Sequence, residues 1–118
     1  MSTVSLSVED FADTVLADGI VLVDFRAAWY PPCQRFSPVL EAAAQRHPDI
    51  LFATVDTDAQ QELSAAVGVR SVPTLMVFRD GVLVFAEPGA LPEDSVELLI
   101  GTIRELDMAA VRGLSREL

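Results

Sequence analysis

The residues best suited to chemistry in this 118-residue chain lie in one short stretch, Trp29 to Cys33, which reads Trp-Tyr-Pro-Pro-Cys. Cys33 is the only cysteine, so the sequence excludes a disulfide within the chain and a multi-cysteine metal site. Pro32 suits the first turn of a helix, where the thiolate of a cysteine is favoured by the helix dipole. The stretch therefore predicts either a small buried residue or a single thiol that bonds to another molecule.

Asp24 is the second unusual residue, because it interrupts the apolar run Ile20 to Phe25. A run of that kind is typical of a strand covered on both faces. An ionised carboxylate is costly in such a place unless it is paired, so we expect the pKa of Asp24 to be raised.

Alternation of strand and helix patterns organises the rest of the chain. The order β, α, β, α predicts a sheet with helices on both faces, and an Asp-Gly turn at Asp80-Gly81 then predicts an antiparallel hairpin. The predicted helices are Ser7 to Gly19, Pro32 to His47, Gln60 to Val67 and one from about Pro92, and the predicted strands are Ile20 to Phe25, Ile50 to Val55, Thr74 to Phe78 and Val82 to Phe85.

Two stretches carry a resemblance to a known family. Val21 to Cys33 is similar to the strand, turn and helix start of the thioredoxins, and Val69 to Gly81 resembles their cis-proline loop and the hairpin after it. The likeness runs from about residue 4 to 106. It implies an α/β protein with the thioredoxin fold, a central mixed β-sheet flanked by helices on both faces, and a cis bond between Val72 and Pro73. We expect a single domain over residues 1–118, with 107–118 as a helical extension or tail.

The active-site motif departs from the family in two positions. Thioredoxins have Trp-Cys-Gly-Pro-Cys, so Tyr30 stands where the attacking cysteine belongs, Pro31 replaces glycine, and Cys33 matches the resolving cysteine. Disulfide exchange needs two thiols, and a phenol forms no stable bond to sulfur. We therefore expect impaired redox chemistry, with Cys33 either inert in the core or active as a lone thiol.

The resemblance also suggests a role for Asp24. In the family the matching aspartate helps to move a proton for the resolving cysteine, so here it either remains as a relic or still tunes Cys33. We expect the family's lysine near this aspartate, one strand away, to be replaced by Phe52.

A groove that holds an extended polypeptide is a further implication of the resemblance. These residues could instead serve only to pack the turn. The matching residues are Trp29, Tyr30, Pro31, Pro32, Val72, Pro73, Thr74, Gly89 and Ala90. Two hypotheses follow: a redox-impaired binding domain for extended polypeptides, or an oxidoreductase that acts through Cys33 alone or is a variant of an active thioredoxin.

Charge limits the partners. The net charge of −10, from 18 acidic and 8 basic residues, argues against nucleic acid and an anionic membrane. Met1 to Ser5 lack a basic start leading into an apolar stretch, so we expect the cytoplasm. We expect a protein partner, with a thioredoxin reductase if redox activity remains, no cofactor or metal, and a monomer or weak dimer. His47 is expected to be solvated, and Asp56 and Asp58 to lie in a loop or cap a helix.

Overall fold

The computed structural model describes residues 3–117, of which 114–117 are described only as helix backbone. Met1 and Ser2, which belong to the Met1 to Ser5 segment that lacks the pattern of a secretory signal, lie outside this range. The side chain of Leu114 is not described either. The strands are β1 (Thr3–Ser5), β2 (Ile20–Arg26), β3 (Leu51–Asp56), β4 (Thr74–Arg79) and β5 (Val82–Pro88). The helices are α1 (Val8–Val15), α2 (Pro31–Arg46), α3 (Gln61–Ala66), α4 (Glu93–Arg104) and α5 (Met108–Glu117).

The sheet is mixed, as predicted, with the strand order β1-β3-β2-β4-β5. β1 and β2 are both parallel to β3, whereas β4 is antiparallel to β2 and to β5. β2 is central because Val21 to Phe25 are all buried, and a strand that is apolar on both faces cannot lie at an edge exposed to water. β1 was not predicted, because its three residues are too few to show a periodic pattern.

Helices cover both faces of the sheet and bury one core on each. Successive strand residues point to opposite faces, so Leu22 packs in a cluster with Phe36 of α2 and Val96 of α4. Phe25, on the other face, packs in a second cluster with Phe11 of α1. None of the helices in residues 3–117 combines the length and the apolar character that crossing a membrane requires.

The predicted hairpin turn and the predicted start of the first helix are both present, but this helix is shorter than predicted. Asp80 and Gly81 both have positive φ, 52° and 80°, which is the type I′ turn that matches the twist of a hairpin. Asp10 accepts a hydrogen bond from the Ser7 N–H at 2.7 Å, which caps the start of α1. α1 ends at Val15 rather than at Gly19, and the Gly19 N–H instead binds the Asp80 carboxylate at 2.8 Å.

The C-terminal tail forms a helix of its own instead of continuing α4. Asp107 caps the start of α5, since its carboxylate accepts hydrogen bonds from the N–H groups of Ala109 and Ala110. Arg79, from β4, binds the end of α4, and its Nη1 donates to the carbonyl oxygens of Ile103 at 2.7 Å and Leu106 at 2.8 Å. The Ile103 carbonyl also accepts a hydrogen bond from the Leu106 N–H at 3.2 Å, so the guanidinium adds a charged donor where the helix ends.

Arg79→Ala should lower the free energy of unfolding by about 2 kcal/mol, because two hydrogen bonds from a charged donor are lost at the end of α4. Urea denaturation measures this loss. Arg112→Ala is the matched control, because Arg112 makes only long, exposed contacts with Asp80, at 3.5 and 3.9 Å. We expect a change within about 0.5 kcal/mol for the control. Equal losses in the two variants would contradict the capping role of Arg79.

Candidate functional site

A tight turn after β2 presents the Trp-Tyr-Pro-Pro-Cys motif. Tyr30 is the N-cap of α2, and its N–H donates to the Ala27 carbonyl at 3.1 Å. Pro31 and Pro32 occupy the first turn of the helix, where backbone N–H groups have no partner within the helix. Gln34 Nε2 donates to the Ala28 carbonyl at 2.9 Å and closes the turn from below.

Two aromatic side chains lie at the mouth of this turn. Trp29 is 66% exposed and Tyr30 is 36% exposed, and their ring centroids are 5.5 Å apart in an edge-on arrangement. Trp29 Nε1 donates to the Asp58 carboxylate at 2.7 Å. The bond fixes the indole in one orientation while leaving its apolar surface open to solvent.

Cys33 has the opposite environment. It is 0% exposed and lies among the buried residues of α2, as expected for a resolving cysteine shielded beneath the mouth of the turn. The structure thus places a phenol at the surface and the single thiol inside.

The second predicted stretch lies against the same turn. The Val72–Pro73 peptide bond is cis, and the Pro73 carbonyl accepts a hydrogen bond from the Gly89 N–H at 2.7 Å. Thr74 donates through Oγ1 to the Ser71 carbonyl at 2.7 Å. No backbone hydrogen bond joins Val72 to another described residue. Pro73 and Thr74 are buried, so they hold the loop rather than offer a surface.

Two open cavities connect these segments. One, of about 320 Å³, lies between Trp29 and Val72, and a second, of about 250 Å³, lies between Pro32 and Ala90. The structure therefore brings the motif together with the cis-proline loop at one end and with the loop after β5 at the other. We call the surface from Trp29 and Val72 to Pro32 and Ala90 the groove.

Asp24 lies outside the groove, in the core beneath α2. Both of its carboxylate oxygens are buried, and neither has a hydrogen-bond partner among the described residues. It lines a small cavity of about 30 Å³ together with Arg26, Ser37 and Glu41. Burial raises the pKa of Asp24 from its ordinary 3.8 to about 7, and the charge of Arg26 opposes that rise.

The register of the sheet corrects the expectation about Phe52. Thr54 is paired with Asp24 across β2 and β3, whereas Phe52 is paired with Leu22. Phe52 instead packs in the core between the sheet and α2. The neighbour of Asp24 on β3 is therefore Thr54, whose side chain carries a hydroxyl group.

His47 was expected to be solvated, and this was wrong. Its Nε2 lies 2.8 Å from Glu97 and its Nδ1 lies 3.0 Å from Arg104, because the end of α2 packs against α4. Arg104 also binds Asp49 at 2.7 Å, which holds the pKa of the Asp49 carboxyl below its usual value. This ion-pair network joins the two helices and lies away from the groove.

Asp58 lies in the predicted loop, whereas Asp56 is the last residue of β3, and Asp58 has a role that the sequence did not indicate. Asp56 accepts hydrogen bonds from the N–H groups of Asp58 and Ala59, at 2.9 and 3.3 Å, and so stabilises the turn. Asp58 holds Trp29, a contact between residues far apart in the chain. Among the side chains of residues 3–113 no group of histidine, cysteine and carboxylates is arranged to hold a metal ion.

Comparison with known proteins decides the family. The thioredoxin family model matches residues 2–102. The chain belongs to the thioredoxin family. A protein named putative thioredoxin 2 from Streptomyces coelicolor is 52% identical over 94% of this chain and 83% of its own length. Thioredoxin from Chlamydia muridarum is 42% identical over 80% of this chain and 92% of its own length.

Solved thioredoxins share the fold. A single-site mutant of thioredoxin from Halobacterium salinarum has a TM-score of 0.80 at 37% identity, over 89% of this chain and 94% of that one. Thioredoxin from Trypanosoma brucei brucei has a TM-score of 0.79 at 29% identity, over 87% of this chain and 92% of that one. The thioredoxin fold with its mixed sheet is thereby confirmed, whereas the roles of individual groove residues remain predictions.

Asp24→Asn should stabilise the protein in a pH-dependent way. The folded pKa of about 7 lies above the ordinary 3.8, so the stability that the protonated carboxyl retains at low pH is lost as the pH rises from 3.8 through 7. That interval corresponds to about 4 kcal/mol at most. We expect Asp24→Asn to gain a few kcal/mol over the parent at pH 8 and almost nothing at pH 4. Urea denaturation from pH 4 to 9 measures this, and a gain independent of pH would contradict it.

Proposed function

We propose that this member of the thioredoxin family binds extended polypeptides in the groove without carrying out dithiol exchange. The observation that carries the proposal is the inversion at the motif: an anchored aromatic pair, Trp29 and Tyr30, faces solvent, while the only thiol, Cys33, is fully buried. The surface that would contact a partner is thus retained, and the group that would attack its disulfide is missing.

The chemical part of the proposal follows from atom counting. Exchange begins when a thiolate attacks a disulfide sulfur, and a second thiol then releases the product. Tyr30 supplies a phenol at the first step, and oxygen cannot hold the mixed disulfide. Cys33 alone could start the reaction only if a disulfide reached it, and its burial opposes that.

The binding part of the proposal rests on three properties of the groove. Val72 has a backbone without a partner among the described residues, which suits the addition of an extended strand. Trp29 and Tyr30 offer large apolar surfaces, and aromatic residues of this kind dominate binding energies at interfaces. The cavities at the two ends of the groove, of about 320 and 250 Å³, each have room for a side chain of a bound segment.

The rival function is an oxidoreductase that acts through Cys33, with a thioredoxin reductase as its partner. Asp24 is the observation that favours it, since a buried carboxyl with a pKa near 7 could take up or release a proton near neutral pH. We place either function in the cytoplasm, where a reducing environment keeps a lone thiol free.

Adding the purified chain should not increase the rate at which a dithiol, which supplies the electrons, reduces a protein disulfide. Tyr30→Cys should raise the rate by orders of magnitude, because it restores the second thiol at the helix N-terminus. Turnover by the unmodified chain near that of an intact thioredoxin would overturn the proposal. Cys33→Ser, in which no thiol remains, gives the background rate. No gain in Tyr30→Cys would mean that Pro31 or the shape of the groove also prevents exchange.

Binding is tested with a neutral, fluorescent peptide that has a central threonine-leucine-valine flanked by three glutamines on each side. Anisotropy should show saturable binding, and Trp29→Ala should weaken it by about tenfold or more, because a central aromatic contact is lost. Leu98→Ala is the matched control, since Leu98 is a large apolar side chain that is 74% exposed on α4 and lines neither cavity. Equal weakening of binding in both variants would refute the binding role of the groove.

A further inference from the structure

The arginines of this chain divide into two groups. All eight of its basic residues are arginines, and seven of these have side chains that the structure describes. Four of the seven form ion pairs: Arg46 with Glu93 and Glu97, Arg79 and Arg112 with Asp80, and Arg104 with Asp49. Arg26 lies beside the buried Asp24. Only Arg35 and Arg70 are both exposed and without a side-chain partner among the described residues.

These two cations lie at the two ends of the groove. Arg70 lines the larger cavity with Trp29 and Val72, and Arg35 lines the smaller one with Pro32 and Ala90. Arg35 follows Cys33 by two residues on α2, whereas Arg70 precedes the cis-proline loop. The two arginines are far apart in the sequence, but both line the groove.

Carboxylates are scarce on this surface although the chain is strongly acidic. The smaller cavity has no acidic residue in its lining. The larger one has Asp58 alone, whose carboxylate is engaged by the indole of Trp29 at 2.7 Å. Glu93, which follows the smaller cavity along the chain, is paired with Arg46 at 3.2 Å. The Trp29 hydrogen bond leaves the charge of Asp58 in place, so the two linings together carry two arginines and one carboxylate, an excess of one positive charge in a chain of net charge −10.

Distance decides which of the two charges a bound segment experiences. The Debye length in physiological salt is about 8 Å, so the net charge of −10 is largely screened at the groove, whereas contacts with its lining are not. Guanidinium groups also bind carboxylates through paired hydrogen bonds. A segment lying in the groove would meet Arg35 and Arg70 directly.

We propose that the polypeptide recognised by the groove is acidic: an extended segment with an apolar centre beside Trp29 and Val72 and carboxylate side chains on both flanks, which pair with Arg70 at one end and Arg35 at the other. The inference rests on the proposed binding function and names the class of its partner. An extended strand suits this arrangement because its alternate side chains project from the same face, so each flank can direct a carboxylate at the groove wall.

The test compares three fluorescent peptides that share the threonine-leucine-valine centre and differ only in their flanks, which are three glutamates, three glutamines or three lysines on each side. Each exposed ion pair is worth up to about fivefold in Kd. We expect the glutamate peptide to bind roughly five- to twentyfold more tightly than the glutamine peptide, and the lysine peptide to bind most weakly. Anisotropy at fixed ionic strength gives the three Kd values.

Three variants assign the preference to its residues. Arg35→Gln and Arg70→Gln should each remove part of the advantage of the glutamate peptide, about two- to fivefold, and the double variant should abolish it. Arg112→Gln changes the net charge by the same amount at the hairpin turn, at the far end of β4 from Thr74, and should leave the preference unchanged. Because Arg35 and Arg70 are exposed and unpaired, the variants should retain the parent's urea midpoint, which is measured in parallel.

The peptide and variant results distinguish failure of the acidic partner from failure of the binding function. Binding of the neutral peptide without a charge preference, or with a preference for lysine, would overturn the acidic partner and leave the binding function standing. An equal loss in Arg112→Gln would show that net charge and not the groove sets the preference, and would overturn it too. Failure of all three peptides to bind would refute the binding function, and this inference with it.

Discussion

The packing of α2 against the sheet determines which residue of the motif meets solvent. Cys33, Phe36 and Leu40 recur at helical spacing, and all three are buried against the core. Once that face is fixed, the thiol must point inward and the N-cap, which has an extended backbone, must stand at the mouth of the turn. Residue 30 therefore determines which functional group of the motif meets solvent, because no rotation of the helix could expose Cys33 without unpacking the core.

Sequence patterns predicted the elements whose local signals were complete. β2 was evident from its continuous apolar run, and the hairpin from Asp80-Gly81, since both signals depend on neighbouring residues only. β1 was missed because its partner β3 lies far along the chain and three residues show no period. The hydrogen bond from Trp29 to Asp58 was missed for the same reason: it joins two loops that only the finished fold brings together.

The error at Phe52 has a different origin. Phe52 and Thr54 lie on the same face of β3, so an alternating pattern cannot distinguish them as neighbours of Asp24. Only the register of the parallel pair does so, and a shift of two residues moves the contact by about 7 Å along the strand without changing its face. The inward face of a strand can thus be predicted from sequence even when its cross-strand partners cannot.

Losing the attacking thiol changes what the groove must supply. An intact exchange site can hold a weakly bound partner through a covalent bond to sulfur, so its non-covalent contacts need only bring the partner into position. With Tyr30 in that place, the residence time of the proposed partner would depend entirely on contacts at the surface, and affinity among related complexes is set mostly by the dissociation rate. The indole held by Asp58 reduces the entropy lost on binding, since it is already oriented. In the proposed complex, Arg35 and Arg70 would add selectivity that apolar contacts alone cannot provide, because charge distinguishes sequences that share the same apolar centre.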